Sequence, residues 1–271
     1  MTKVLIPAER RKRIREHLAL HQIAHSTVLS EMLQVSEATV RRDLEWLEGQ
    51  GILERTHGGA MLSQRMRLEP EYAHSAQTHP EEKRRIGAIA ATLIEDGDTI
   101  FVNSGTTTTQ VVRHIPSDSK VTVITTNVSA ALEARNAGFE LILLGGSFRG
   151  RSNSVVGRFA TDALRQVVAS KAFIGVDGVS LKYGCTTPIS AEAEIARLMI
   201  ERTRGSVIVV ADHSKWGVVS NFEVATIDQI HTFVTDDGLD AGACAELKAR
   251  SVEVLIAETE LSLDGRDRSG N

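Results

Sequence analysis

Apolar residues recur at helical spacing through most of the first fifty positions of this chain, and short apolar runs alternate with helical stretches after about position 80. In the first region Ile14, Leu18 and Ile23 fit one helix that starts near Pro7, the usual place for proline in a first turn. Ser26 is positioned to cap a second helix, with Val28, Leu29, Met32 and Leu33 facing inward. Gln34-Val35 makes a tight turn into a third. Ser36 caps that helix, Glu37 suits the positive end of its dipole, and Val40, Leu44 and Leu47 form one apolar stripe. Gly49 and Gly51 stop it. Ile52–Thr56 then reads as a strand, His57-Gly58-Gly59 as a hairpin turn and Ala60–Leu62 as the return strand. Three helices followed by a small hairpin predict a winged helix-turn-helix over residues 1–62.

Residues 63–80 are polar, contain two prolines and lack a clean period, so they read as a linker. Helical spacing resumes at Glu81–Glu95 through Ile86, Ile89, Ala90, Leu93 and Ile94. Strands are then predicted at Thr99–Val102, Val121–Thr125, Leu141–Leu144, Ala172–Val176, Val207–Ala211, Thr232–Thr235 and Val252–Ile256. Helices are predicted between them at Thr108–His114, Ser129–Ala137, Arg158–Val168, Ala191–Arg202 and Ala241–Arg250. Short apolar strands separated by helices predict a mostly parallel sheet covered on both faces, making residues 81–258 an α/β domain. Residues 259–271 read as a flexible tail.

Composition changes this picture little. With 271 residues, 42% hydrophobic and 24% charged, the chain is an ordinary globular protein of two-domain length. Its net charge of −4 is uneven: residues 1–67 carry 11 Lys+Arg against 8 Asp+Glu, the remainder 20 against 27. A mildly basic head on an acidic body fits a nucleic-acid contact confined to the head. The two cysteines, Cys185 and Cys244, have no metal-ligand spacing and read as structural thiols. No apolar run approaches the ~18 residues that span a membrane. The start lacks the apolar core of a signal peptide, so a cytoplasmic protein with no membrane partner is expected.

Candidate chemistry falls in two groups. In the third helix Thr39, Arg41, Arg42 and Glu45 lie opposite the apolar stripe, and with Ser36 at the cap the hydroxyl and guanidinium groups of its N-terminal half suit a DNA major groove. Arg55, His57 and Gly58 in the hairpin would add backbone contact. In the body, candidates follow the strands, because open α/β sheets bind ligands outside the carboxyl ends. Asn103-Ser104-Gly105-Thr106-Thr107-Thr108 follows a strand and opens a helix, where N–H groups and hydroxyls can hold a phosphate or serve merely as caps. Asn127 is placed equally well to cap a helix or to touch ligand. Gly146, in a glycine-rich loop with Arg149 and Arg151, can close over an anion. Asp177, Glu192 and Lys215 lie at or after other strand ends, where a lysine and carboxylates suit a polyhydroxylated, phosphorylated ligand. An ion pair between Asp212 and Lys215 is the plainer alternative. Without a Walker A lysine, a GxGxxG or a metal cluster, no nucleotide, other cofactor or metal is expected.

The run VSEATVRRDL, then LE, a glycine, IL, R and HGGA, resembles the N-terminal signature of the DeoR family of bacterial repressors. SGTTT, TTN, LLGG, VVGRFA, FIGVDGVS, ADHSKWG and VTDD resemble that family's C-terminal sensor domain, so the likeness extends to about Ile256. The resemblance implies an isomerase/CoA-transferase-like fold akin to ribose-5-phosphate isomerase, binding phosphorylated sugars and released from operator DNA by ligand. By it, Ser104–Thr108 would hold phosphate while Asp177, Glu192 and Lys215 face the sugar. The chain departs from the family at Asn103, where many members carry aspartate.

An alternative is a sugar-phosphate isomerase with an appended DNA-binding head. The isomerase motif places a second aspartate three residues after the first, then a lysine leading a glycine run. Here those places hold Ser180 and Lys182-Tyr183-Gly184-Cys185. Sensing is therefore favoured over turnover. One head covers one half-site, so a homo-oligomer, dimer or tetramer, on double-stranded operator DNA is expected.

Overall fold

A computed structural model describes residues 6–21, 23–49, 53–56, 58–62 and 71–259, and divides the chain into two compact units at Leu68 and Glu69. In the head, α1 (Pro7–His21), β1 (Ile23–His25), α2 (Ser26–Leu33) and α3 (Glu37–Gly49) precede the hairpin β2 (Leu53–Thr56) and β3 (Gly59–Leu62). The three strands form an antiparallel sheet in the order β1-β3-β2. Ile14, Leu18, Leu29, Leu33, Val40, Leu44, Leu47 and Leu53 make one core. Gln34 turns the chain between α2 and α3 with a left-handed φ of 53°.

Three details of the head differ from the periodicity. Ile23 belongs to strand β1 rather than to the first helix and is exposed, because the wing is a three-stranded sheet whose edge it forms. Val28 and Met32 are exposed as well, since Leu29 and Leu33 alone point from α2 into the core. Ser26 is buried inside α2, and His25 holds the cap position. His57 and the expected helix stop at Gly51 lie outside the described residues, as does residue 52 of the expected strand.

One charged contact fixes α3 against α1. Asp43 is 2% exposed, accepting from Arg10 Nε at 2.7 Å and Arg11 Nε at 3.0 Å. The Arg11 guanidinium also lies 4.1 Å from the centroid of Trp46 on α3. Turning Asp43 to alanine removes the buried carboxylate that both part-buried guanidinium groups share.

The body opens with α4 (Tyr72–Gln77), within the stretch 63–80 expected to be a linker. That expectation fails for its second half because α4 is tied down: Tyr72 Oη lies 2.9 Å from Thr109 Oγ1, and its N–H reaches Arg151 O at 2.7 Å. Residues 63–70 lie outside the described residues, as does all of the expected tail 259–271 beyond Thr259. Next come α5 (Pro80–Ala91), β4 (Thr99–Val102), α6 (Thr106–Arg113), β5 (Thr122–Thr125), α7 (Val128–Glu133) and β6 (Glu140–Leu143). A hairpin, β7 (Ser147–Arg149) and β8 (Ser154–Val156), precedes α8 (Arg158–Leu164) and β9 (Lys171–Gly175). The chain continues through β10 (Gly178–Ser180), β11 (Gly184–Thr187), α9 (Ser190–Glu201), β12 (Val207–Val210) and β13 (Phe222–Ala225). It ends with β14 (Thr232–Asp236), α10 (Ala241–Lys248) and β15 (Glu253–Ala257).

Seven strands form a wholly parallel sheet in the order β15-β14-β12-β9-β4-β5-β6. Alternate side chains go to opposite faces, as a sheet covered on both sides requires. Ile100, Val102, Phe173 and Ile208 pack with α5, α6 and α7, whereas Phe101, Ala172, Ile174 and Val209 pack with α8 and α9. The small antiparallel sheet β10-β11-β13 adds Val179, Cys185 and Val224 to the second face. Burial pushes the Cys185 thiol up to about 12, which leaves it a packing group. From β4 the chain runs outward to β5 and β6, then returns to the other side of β4 at β9. The ligand position for such a sheet is the crevice at that reversal, between the ends of β4 and β9.

Asp43→Ala is expected to destabilise the head by about 3 kcal/mol. With Trp216→Phe as background, Trp46 fluorescence during urea unfolding reports the head alone, and an unchanged midpoint would remove Asp43 from its architecture.

Candidate functional site

The cavity at the mouth of β4 and β9 is built first from backbone. Asn103 follows β4, and its side chain continues the ladder to β9: Nδ2 donates to Gly175 O and Gly175 N donates to Oδ1, both at 2.8 Å. An ionised aspartate in its place could not donate to Gly175 O. Gly105, at φ 151°, then starts α6. Its carbonyl is turned into the protein and accepts from Thr109 N, Thr109 Oγ1 at 2.8 Å and Asn127 Nδ2 at 3.1 Å. The N–H groups of the first turn have no intrahelical acceptor and form a cradle of donors, an arrangement that suits an anion. Ser104, Gly105, Thr106 and Thr107 line the cavity.

Three candidates do not line it. Thr108 is fully buried and shares its hydroxyl proton between Asn103 O and Gly105 O. Asn127 is also fully buried: Oδ1 caps α7 by accepting from Ala130 N at 3.1 Å, and Nδ2 holds Gly105 O and Thr109 Oγ1. Both shape the cradle from behind. Gly146 shapes the turn into β7, where a Cβ would come 2.6 Å from Val156 O. Of the loop arginines, Arg149 pairs with Glu192 and Arg151 ties α4 through its carbonyl.

The remaining candidates converge. Asp177 accepts from Thr187 Oγ1 at 2.7 Å, and Glu192 accepts from Ser154 Oγ at 2.9 Å and meets Arg149 Nε at 3.5 Å. Lys215 ends a short 3-10 turn that Asp212 caps. All three line the same cavity as the cradle. Burial alone would raise the Asp212 carboxyl, but Lys215, the Ser214 hydrogen bond, Lys83 and His79 together hold it below the ordinary value. Its Oδ2 is buried without a donor among the described residues. Beside it His213 Nδ1 lies 2.6 Å from Asp236 Oδ2, and His79 stands edge-on to the His213 ring.

Little in the local pattern marked Tyr72, Ser75, Lys83 and Ser152, which also line the cavity. Lys83 is the most consequential. It is 4% exposed, and Nζ donates to Ser75 O and Thr78 O, each at 2.6 Å. Loss of water pushes its pKa down to about 8, with Lys215 pushing the same way and Asp212, Glu82 and Asp177 opposing. One signal was present: Lys83 sits three residues before Ile86 and seven before Ala90, on the buried stripe of α5.

In the head, Ser36 Oγ accepts from Thr39 N at 3.3 Å and lies 3.0 Å from Thr39 Oγ1, so the pair forms the cap of α3. Arg41 and Arg42 are exposed on that helix. Arg55 on β2 pairs with Glu45 of α3 at 3.2 Å, and Gly58 takes a φ of 88° at the wing's turn.

A DeoR-like helix-turn-helix domain model matches residues 10–65, and a model of the DeoR C terminal sensor domain matches residues 78–237. The chain belongs to the DeoR family. It is 34% identical to the HTH-type transcriptional regulator GlpR of Haloferax volcanii, over 93% of this chain and 98% of that one. It is 33% identical to the HTH-type transcriptional repressor GlcR of Bacillus subtilis, over 96% and 98%. A solved ribose 5-phosphate isomerase of Methanocaldococcus jannaschii aligns with 51% of this chain and 55% of its own at a TM-score of 0.39 and 17% identity. The family member is thus a transcriptional regulator with a DNA-binding head and a sensor domain, and the isomerase alternative gives way to it. Among the described residues no helix is long and apolar enough to cross a membrane.

Lys83 carries a pH signature. Its lowered value means that the folded chain holds its charge at a cost below about pH 8, a cost relieved as pH rises toward 10.5. A bound anion favours the charged form, so inorganic phosphate affinity should fall above about pH 8, by up to ~10-fold per pH unit. Calorimetric titration of wild type and Lys83→Met checks this: the variant should bind more weakly and lose the slope.

Proposed function

We propose that this DeoR-family regulator represses a sugar or carbohydrate catabolic operon, and that a phosphorylated sugar in the cavity at β4 and β9 controls it. The observation that carries the reading is the meeting of an amide cradle and two lysines, Lys83 and Lys215, with Asp177 and Glu192 in one cavity. Amides and ammonium groups suit phosphate, and carboxylates accept hydroxyl protons from the sugar. The GlcR relative's name as a repressor supports the direction of control. Within the set Ser104–Thr107, Asp177, Glu192 and Lys215, each residue takes the role its chemistry fits. Thr108, Asn127 and Gly146 act by holding the cradle and its neighbouring turn.

The head reads operator DNA with Arg41 and Arg42, assisted by Ser36, Thr39 and the wing residues Arg55, His57 and Gly58. One α3 spans one half-site, so the regulator works as a homo-oligomer, a dimer or tetramer. A ligand shifts DNA binding only if it favours one arrangement of the chain over another. Helix α4 is suited to carry that difference: Tyr72 and Ser75 line the cavity, and α4 is the first described element after the head.

The test uses two sets of variants. Thermal shift of the full chain against a panel of phosphorylated sugars should find a stabilising ligand whose effect Thr107→Ala and Lys215→Ala abolish. On a duplex enriched from a random pool, those variants should keep wild-type affinity, while Arg41→Ala or Arg42→Ala should cost about 1–3 kcal/mol at one base position. Retained ligand response in both pocket variants, or unchanged DNA affinity in both arginine variants, would overturn the corresponding half of the proposal.

A further inference from the structure

The two edges of the parallel sheet are finished differently. At β15, Val254, Leu255 and Ile256 are half-buried, and Thr259 just beyond the strand is bonded to Asp237. At β6, neighbouring residues Ile142 and Leu143 point to opposite faces and are 41% and 42% exposed, although α7 packs on the strand and Leu141 joins the core. No further strand pairs with β6 among the described residues. Around it Leu132 of α7 is 67% exposed, Phe148 of β7 60% and Phe159 of α8 81%. In the fold these elements follow one another: α7 packs on β6, β7 follows β6 through a short turn, and a Cβ on Gly146 in that turn would come 3.5 Å from the Ala160 side chain of α8.

Edge strands are usually blunted with lysine, proline or a cover, and β6 has only Glu140 at its first position. We infer that β6 and its rim are the homo-oligomer interface, occupied by the same surface of a second copy. This deepens the homo-oligomer reading above and rests on it. A two-fold axis at β6 sets the strand antiparallel to its own copy, so each outward N–H and C=O meets its counterpart, which is the self-complementarity an isologous contact needs. The apolar area fits as well. The five side chains expose on the order of 600 Å² together, close to the ~800 Å² per partner of a stable interface once strand backbone is added.

Sedimentation velocity on the full chain tests this with Leu143→Glu in the strand, the rim double variant Phe148→Ser/Phe159→Ser, and Glu253→Lys at the opposite edge. The wild type and Glu253→Lys should sediment as the same oligomer. The β6 and rim variants should associate more weakly, on the order of 100-fold, with far-ultraviolet dichroism and phosphate binding retained. If Leu143→Glu fails to fold, the rim variant decides, because its substitutions lie outside the strand. An oligomer that both variants leave intact overturns this interface alone. A monomeric wild type overturns it together with the homo-oligomer reading, while the phosphate titration still reports on the sensor pocket.

Discussion

The body depends on how the end of β4 is joined to the end of β9. Parallel strands diverge beyond their ladder because each twists, and a crevice opens where the chain reverses its direction of travel across the sheet. Asn103 keeps that crevice from becoming loose. Its amide reproduces a peptide group, donating to and accepting from Gly175 at 2.8 Å in both directions. With the two strand ends pinned, Gly105 can turn its carbonyl inward, where Thr109 and Asn127 saturate it. The N–H groups of α6 are what remain, and they face a cavity instead of a partner.

Charge is handled in opposite ways in the two units. In the head, the Asp43 carboxylate is buried with its cations supplied by α1, so the arrangement is closed and serves to place α3. In the body, Lys83 is buried against two carbonyl oxygens, and its lowered pKa shows that its surroundings do not fully compensate the charge. Under the proposed function, an anion in the cavity would supply what is missing. The carbonyls that Lys83 holds belong to Ser75 in α4 and to Thr78 just after it, so the same ammonium group bears on both the cavity and the segment that follows the head. If the proposed ligand completes the pocket's charge balance, a wall that includes that segment gives control by a metabolite a physical basis.

The elements themselves were legible because periodicity reports which side of a helix or strand is buried. All seven strands of the parallel sheet appear within about a residue of the runs that predict them, and Val40, Leu44 and Leu47 face the head's core as their spacing requires. The pattern failed where burial is set by a neighbour. Val28 and Met32 have the right character for an interior, but three helices and a three-stranded wing leave no room for them. Helix α4 was invisible since its six residues bury no apolar side chain and are held by polar bonds to distant partners.

The site divides along the same line. The local chemistry can be read along the chain: a glycine and hydroxyls between a strand and a helix, carboxylates and a lysine near other strand ends, and paired arginines on a capped helix. Those are properties of neighbours in the chain, fixed by spacing and residue type. Which of them share one cavity follows from the order β12-β9-β4-β5 across the sheet, and no local pattern encodes that order. The tertiary structure drew in Lys83 and Tyr72 from outside the motifs and turned Thr108 and Asn127 inward, since a buried hydrogen-bonding group takes whatever partner the packing brings within reach.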